Sequence, residues 1–204
     1  MGEPSPLDFN NRTGGVRYTD TVFSMLTSQS LTINLYVYIT MLILGMDPGT
    51  ATTGYGLVEK QGNKITYVTH GVILTSKDMQ MPDRYMAIFT QFNRLLDLHE
   101  PDVLVTEKLF FSNNVNTALS VGGTIGVLLL AAAQRGLPWA EYRPMEVKMA
   151  VSGYGAADKK QVQYMITQLL GLEKPPKPDD AADALAIAVC HAHSAHMLNL
   201  SKLT

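Results

Sequence analysis

Four carboxylates carry the chemistry this chain could do. Asp47 follows the apolar run Leu42–Met46 and stands directly before Pro48-Gly49, a strong turn signal. That places it at the carboxyl end of a central strand, where open α/β sheets put their ligands. Glu107 ends a second short apolar run, Asp102 to Glu107, in the same way. Asp180 and Asp183 lie three residues apart at the start of a helix, so they are side-chain neighbours. Each has a plainer reading. An Asp before Pro-Gly is an ordinary turn residue, and aspartates in a first helical turn favour the helix dipole without any metal. Together they point further. Four converging carboxylates repel one another unless cations lie between them, and hard oxygen ligands suit Mg²⁺ or Mn²⁺. Two such ions can activate a water and stabilise the leaving oxygen of a phosphodiester.

The elements that must hold these residues follow from periodicity. After Asp47 come a glycine-rich strand, Thr53 to Lys60, and a third strand, Lys64 to Leu74, joined by the turn Gln61-Gly62-Asn63. Gly54 and Gly56 either allow close approach to the backbone or reflect simple tight packing. Tyr85, Phe89, Phe92 and Leu96 mark an amphipathic helix from Met81-Pro82 to Glu100-Pro101. Val115 to Ala133 is a helix apolar almost all round, which must be buried in the core or in a subunit contact. Leu137 to Tyr142 is a fifth strand, and Arg143-Pro144 opens a short helix to about Val151. Asp158 and Gln161 form a capping box for a helix closed by Gly171, and a last helix runs from Asp180 to about His196. The order predicts an α/β protein with a five-stranded mixed sheet and helices on both faces.

Composition adds limits. With 204 residues, 46% hydrophobic and 17% charged, one globular domain is expected. The net charge of -2 means that a nucleic-acid surface must gather its Lys and Arg on one face. The single cysteine, Cys190, excludes an intrachain disulfide, fits a reducing compartment and reads as a small core residue. Residues 1–40 read as a poorly structured N-terminal extension, 41–196 as the catalytic domain and 197–204 as a tail. The run Leu31 to Met46 is too short for a spanning helix, so no membrane association is expected, with a membrane anchor as the minor alternative for this stretch. His191, His193 and His196 read as helix-end histidines favourable to the dipole. His191 stands roughly 16 Å along the axis from Asp180, too far to share an ion.

At this level of detail the sequence resembles the RuvC family, the bacterial Holliday-junction endonucleases with a ribonuclease H-like fold. The resemblance runs from about Met41 to His193. It is carried by Leu44-Gly-Met-Asp-Pro-Gly-Thr50, Thr53-Gly-Tyr-Gly56, Glu107-Lys-Leu-Phe-Phe111, Glu141-Tyr-Arg-Pro144, Val147-Lys148, Gly153-Tyr-Gly155, Ala157-Asp-Lys-Lys-Gln-Val162 and Asp180-Ala-Ala-Asp-Ala-Leu-Ala186. It implies a Mg²⁺-dependent enzyme, with two ions per subunit and Mn²⁺ as a substitute, that resolves four-way DNA junctions by paired symmetric nicks. It implies that Asp47, Glu107, Asp180 and Asp183 hold the ions, that Lys148 and Lys159 lie near the cleaved strand, and that Phe110 stacks on a base in the junction centre. It also implies a homodimer, a branch-migration helicase complex as partner, and a cytoplasmic setting.

The long helix departs from the family. Gly122-Gly-Thr-Ile-Gly126 lacks the arginine of the usual Gly-Gln-Ala-Arg-Gly sequence, which puts one polar or DNA contact in doubt. Two other functions compete. A non-catalytic junction binder would keep the fold and lose cleavage, although all four carboxylates are present. An actin- or sugar-kinase-like phosphotransferase shares Asp-x-Gly-Thr after its first strand but needs two such domains.

Overall fold

The computed structural model of the chain describes residues 40–108 and 115–200, and the side chains of all of these except 115–117 and 195–200. Five strands form one sheet: β1 (Thr40–Asp47), β2 (Thr52–Gln61), β3 (Lys64–Leu74), β4 (Val103–Glu107) and β5 (Trp139–Tyr142). Their order across the sheet is β3-β2-β1-β4-β5. The first three make an antiparallel meander, while β4 and β5 run parallel to β1. Five helices complete the domain: α1 (Met81–His99), α2 (Val115–Gln134), α3 (Pro144–Ser152), α4 (Lys159–Leu169) and α5 (Asp179–Leu200).

Alternation along the strands divides the core in two. Ile43, Val103 and Val105 face one side, where they pack with α3, α4 and α5 through Val147, Ile166 and Leu185. Leu44, Met46 and Leu104 face the other side, against Ile88 and Phe92 of α1 and Leu128 of α2. The sheet therefore carries helices on both faces, as the sequence predicts.

The capping box at α4 forms as expected. Gln161 N–H donates to Asp158 Oδ1 at 2.8 Å, and Asp158 N–H donates to Gln161 Oε1 at 3.0 Å. This fixes Lys159 at the first helical position. Two expectations for α5 need correction. The helix continues to Leu200, past His196, because Met197, Leu198 and Leu200 favour helix and no breaker intervenes. His191 is therefore not a cationic cap at a helix end. It is buried, and its Nδ1 lies 3.0 Å from the Tyr142 hydroxyl. Burial, then nearby Lys60, lowers its pKa to about 4, so it is neutral in the fold. Cys190 is a free, buried thiol pushed up to about 12 by burial, which agrees with its reading as a core residue.

Helix α2 meets its expectation in part. Leu128, Ala131 and Ala132 are buried, yet Leu119 is 66% and Leu130 56% exposed. Gly123 packs so tightly that a Cβ there would lie 2.1 Å from the Tyr85 hydroxyl, whereas a Cβ at Gly126 meets nothing within 4 Å. Leu119, Gly126 and Leu130 recur at seven and four residues, so this is one uncovered stripe along the helix. Among the described residues no helix is long and apolar enough to cross a membrane.

Candidate active site

Sheet register brings the first two carboxylates together. β1 and β4 are neighbours with Met46 opposite Thr106, so Asp47 and Glu107 follow side by side at the same sheet edge. Asp47 is two residues beyond Gly45 and four beyond Ile43, and Glu107 is two beyond Val105. Both therefore project to the face that carries α5.

Glycines then bring in the helix. A Cβ at Gly45 would lie 2.2 Å from the Ala184 carbonyl oxygen, one at Gly54 2.1 Å from the Asp180 carbonyl oxygen, and one at Gly56 2.7 Å from Leu185. Bare backbone at these three places lets α5 lie directly on β1 and β2. Gly54 pairs with Asp47 across the sheet, so the start of α5, with Asp180, is seated beside Asp47. The close approach considered for Gly54 and Gly56 thus has a definite occupant.

The electrostatics record this crowding. The Asp47 carboxyl is pushed up to about 7, first by burial and then by Asp183, Asp180 and Glu107, with Lys159 opposing. Glu107 is raised by burial and by Asp183, with Lys148 opposing. Lys159 Nζ lies 2.9 Å from Asp183 Oδ2, and that hydrogen bond is the main cause of its raised pKa. Glu107, Lys148, Lys159 and Asp183 line one cleft of about 290 Å³ with Pro144, Val147, Val162 and Ala186. A larger hollow of about 460 Å³ lies at the opposite end of β4, around Pro101, Arg135 and Pro138. There the carboxylates have structural work: Asp102 Oδ2 accepts from Leu42 N–H at 2.7 Å and Asp97 pairs with Arg135 at 2.6 Å.

Six of the seven residues singled out by sequence therefore meet at one place, and Phe110 lies outside the described residues. Asp179 was passed over. Its Oδ2 lies 3.6 Å from Lys159 Nζ and its Oδ1 3.2 Å from Lys177 Nζ. The doublet Asp179-Asp180 was its only signal, and a helix-dipole reading absorbs it. The donor set fits a divalent cation in chemistry, being all carboxylate, mutually repelling and incompletely neutralised by two lysines. Among the described residues, no three His, Cys, Asp or Glu side chains close on a common point as they stand. Lys159 occupies Asp183 in this arrangement.

A titration follows from the same crowding. In protein freed of divalent ions by chelator, Asp47 binds its proton more tightly folded than unfolded. Its contribution to stability is then full at low pH and is lost as pH rises through about 7. His191 acts in the opposite sense, its contribution being present above 6.5 and lost as pH falls toward 4. The thermal midpoint of Asp47→Asn minus that of the wild type cancels the histidine. That difference is expected to grow between about pH 4 and pH 7, and a flat difference would contradict the raised carboxyl.

A mixed five-stranded sheet in this order, with carboxylates ending its two adjacent central strands and a helix laid across them, is the ribonuclease H-like nuclease architecture. The chain belongs to the RuvC family: the family model described as Crossover junction endodeoxyribonuclease RuvC matches residues 43–191. A RuvC from Desulfitobacterium hafniense is 53% identical over 159 residues, covering 78% of this chain and 96% of that relative. One from Thermosipho melanesiensis is 53% identical over 152 residues, covering 74% and 97%. The solved structure of T. thermophilus RuvC in complex with a Holliday junction substrate matches with a TM-score of 0.73 at 36% identity, covering 77% of this chain and 96% of that one. The yeast mitochondrial Holliday junction resolvase Ydc2 shares the fold, with a TM-score of 0.58 at 20% identity over 82% of this chain and 87% of its own.

Proposed function

We propose that the chain is a homodimeric endonuclease that resolves four-way DNA junctions by paired symmetric nicks, working in the cytoplasm with a branch-migration helicase complex. The observation that carries this reading is the convergence of Asp47, Glu107, Asp180 and Asp183 with Lys148 and Lys159. Asp47, Glu107, Asp180 and Asp183 would hold two divalent ions, Mg²⁺ or Mn²⁺. When bound, the ions supply Lewis acidity that activates the attacking water and stabilises the departing 3′ oxygen. Lys148 and Lys159 lie near the cleaved strand and contact phosphate next to the ions. Phe110 stacks on a base at the junction centre. The products are 5′-phosphate and 3′-hydroxyl ends that a ligase can seal.

Two nicks related by symmetry need two sites related by symmetry, which a two-fold dimer provides. The uncovered stripe Leu119, Gly126 and Leu130 on α2 is the surface we assign to the second copy. Phosphate contacts dominate affinity, so binding weakens steeply with salt. Residues 41–196 are the nuclease domain and residues 1–40 an extension to it.

Product mapping on an end-labelled synthetic junction tests this. The expected result is two nicks at symmetry-related positions, closed by ligase. Scattered nicking of linear duplex would replace the reading with a general nuclease. Tight binding without cleavage in Mg²⁺ or Mn²⁺ would leave a junction binder.

A further inference from the structure

The turn after Asp47 is tied down from outside the site. Pro48 to Ala51 link β1 to β2, and three successive carbonyls of this turn, Gly49 to Ala51, are engaged. Thr53 Oγ1 donates to the Gly49 carbonyl at 2.6 Å. Thr75, just past the end of β3, supplies the next two. Its hydroxyl donates to the Thr50 carbonyl at 2.6 Å and its N–H to the Ala51 carbonyl at 3.1 Å. The Thr75 hydroxyl in turn accepts from Arg84 Nε of α1 at 2.8 Å.

Donor and acceptor roles in this chain are forced. A guanidinium can only donate and a carbonyl can only accept, so the single hydroxyl proton points at Thr50 and its lone pair at Arg84. The charged donor strengthens the bond it makes and polarises the next one. Thr50 is 9% exposed, so its carbonyl has little water to fall back on. The chain therefore runs from α1 through the end of β3 into a turn whose Pro48 and Thr50 are buried. That turn begins at Asp47, which three other carboxylates repel.

We propose that Arg84 and Thr75 are positioning residues for Asp47, fixing the β1–β2 turn so that the carboxylate stays at the cluster. Neither touches the reacting atoms. The proposal rests on the reading of Asp47 given above. It assigns to α1, on the opposite face of the sheet, a share in the geometry of the site. Groups that hydrogen-bond metal-holding residues directly contribute about 10- to 100-fold in metal affinity or activity, and a tether that acts on Asp47 through the turn is expected on the same scale.

Thr75→Val keeps the shape of the side chain and removes the hydroxyl, Thr75→Ser keeps the hydroxyl, and Arg84→Ala removes the terminal donor. The measurements are single-turnover cleavage of a synthetic junction, junction binding in Ca²⁺, and Mn²⁺ binding to DNA-free protein by electron paramagnetic resonance. All are made well below each variant's thermal midpoint. Thr75→Val and Arg84→Ala are expected to lower the cleavage rate and the Mn²⁺ affinity by about 10- to 100-fold. Junction binding stays within about twofold, and Thr75→Ser restores both lost quantities, which a merely structural role would not arrange. Wild-type cleavage and Mn²⁺ affinity in Thr75→Val would overturn the proposal, as would equal losses in Thr75→Ser. Asp47→Asn run alongside separates two failures. Cleavage that survives Asp47→Asn removes the reading of Asp47 and this proposal with it. Cleavage lost in Asp47→Asn but intact in Thr75→Val removes the tether alone.

Discussion

Asp47→Asn is expected to cut junction cleavage by on the order of 10³-fold while leaving junction binding within about twofold. The scale is that of losing one preorganised electrostatic group from a site of developing charge. The amide keeps the size of the carboxylate and removes its charge. The Asp47 carboxyl is pushed up to about 7, first by burial and then by Asp183, Asp180 and Glu107, so its charge is the one the fold tolerates least. With Lys159 paired to Asp183, removing the Asp47 charge leaves the acidic residues closer to neutralised by protein alone. The same change therefore raises the stability of the metal-free protein. A rate that falls while the thermal midpoint rises marks a residue kept for chemistry at a cost to the fold. Binding is spared because Lys148 and Lys159 are unchanged and phosphate contacts dominate affinity. Single-turnover cleavage, a band-shift in Ca²⁺ and a thermal melt in chelator read the three quantities. Unchanged Mg²⁺-dependent cleavage would refute the role of Asp47, and a lower midpoint would refute the account of its crowding.

Much of this site was legible because strand-end carboxylates obey simple rules. A short apolar run stopped by an acid places that acid at the end of a strand, and Pro48-Gly49 adds a turn signal after Asp47. Asp47 and Glu107 come from that rule, and the parallel pairing of β1 with β4 makes them neighbours. The spacing of Asp180 and Asp183 makes them one face of a helix. Lys148 and Lys159 are different. Nothing local distinguishes them from surface lysines, and only resemblance to a family drew them out. The contacts of Thr75 are harder still. They join residues 25 and 9 positions apart, across three elements, with no period in the sequence to reveal them. His191 misled for a related reason. A histidine near the end of an apolar stretch reads as a cap until the helix is seen to continue and Tyr142 of β5 is seen to meet it.

The glycines show how a residue without a side chain can be as demanding as a ligand, and Gly54→Ala puts a figure on it. The added Cβ would lie 2.1 Å from the Asp180 carbonyl oxygen, 2.4 Å from the Asp180 carbonyl carbon and 3.1 Å from the Ala181 nitrogen. All three atoms are backbone, so no rotamer change relieves them. The start of α5 must move outward by roughly 1 Å, and it takes Asp180 with it. Overpacking of this kind costs about 1–3 kcal/mol. For a chain of this size that lowers the thermal midpoint by roughly 2–12 °C. A 1 Å displacement of a group that positions the reacting bond costs about 10²-fold in rate. Gly54→Ala is thus expected to lose both stability and cleavage, with junction binding kept, when assayed well below its midpoint. Gly45→Ala meets the same helix one turn further on, 2.2 Å from the Ala184 carbonyl oxygen. It should match Gly54→Ala in stability and fall less in rate, because Gly54 presses on Asp180 itself whereas Gly45 presses on Ala184, the residue after Asp183. Equal rate losses in the two variants would mean that α5 moves as a rigid rod rather than tilting at its first turn.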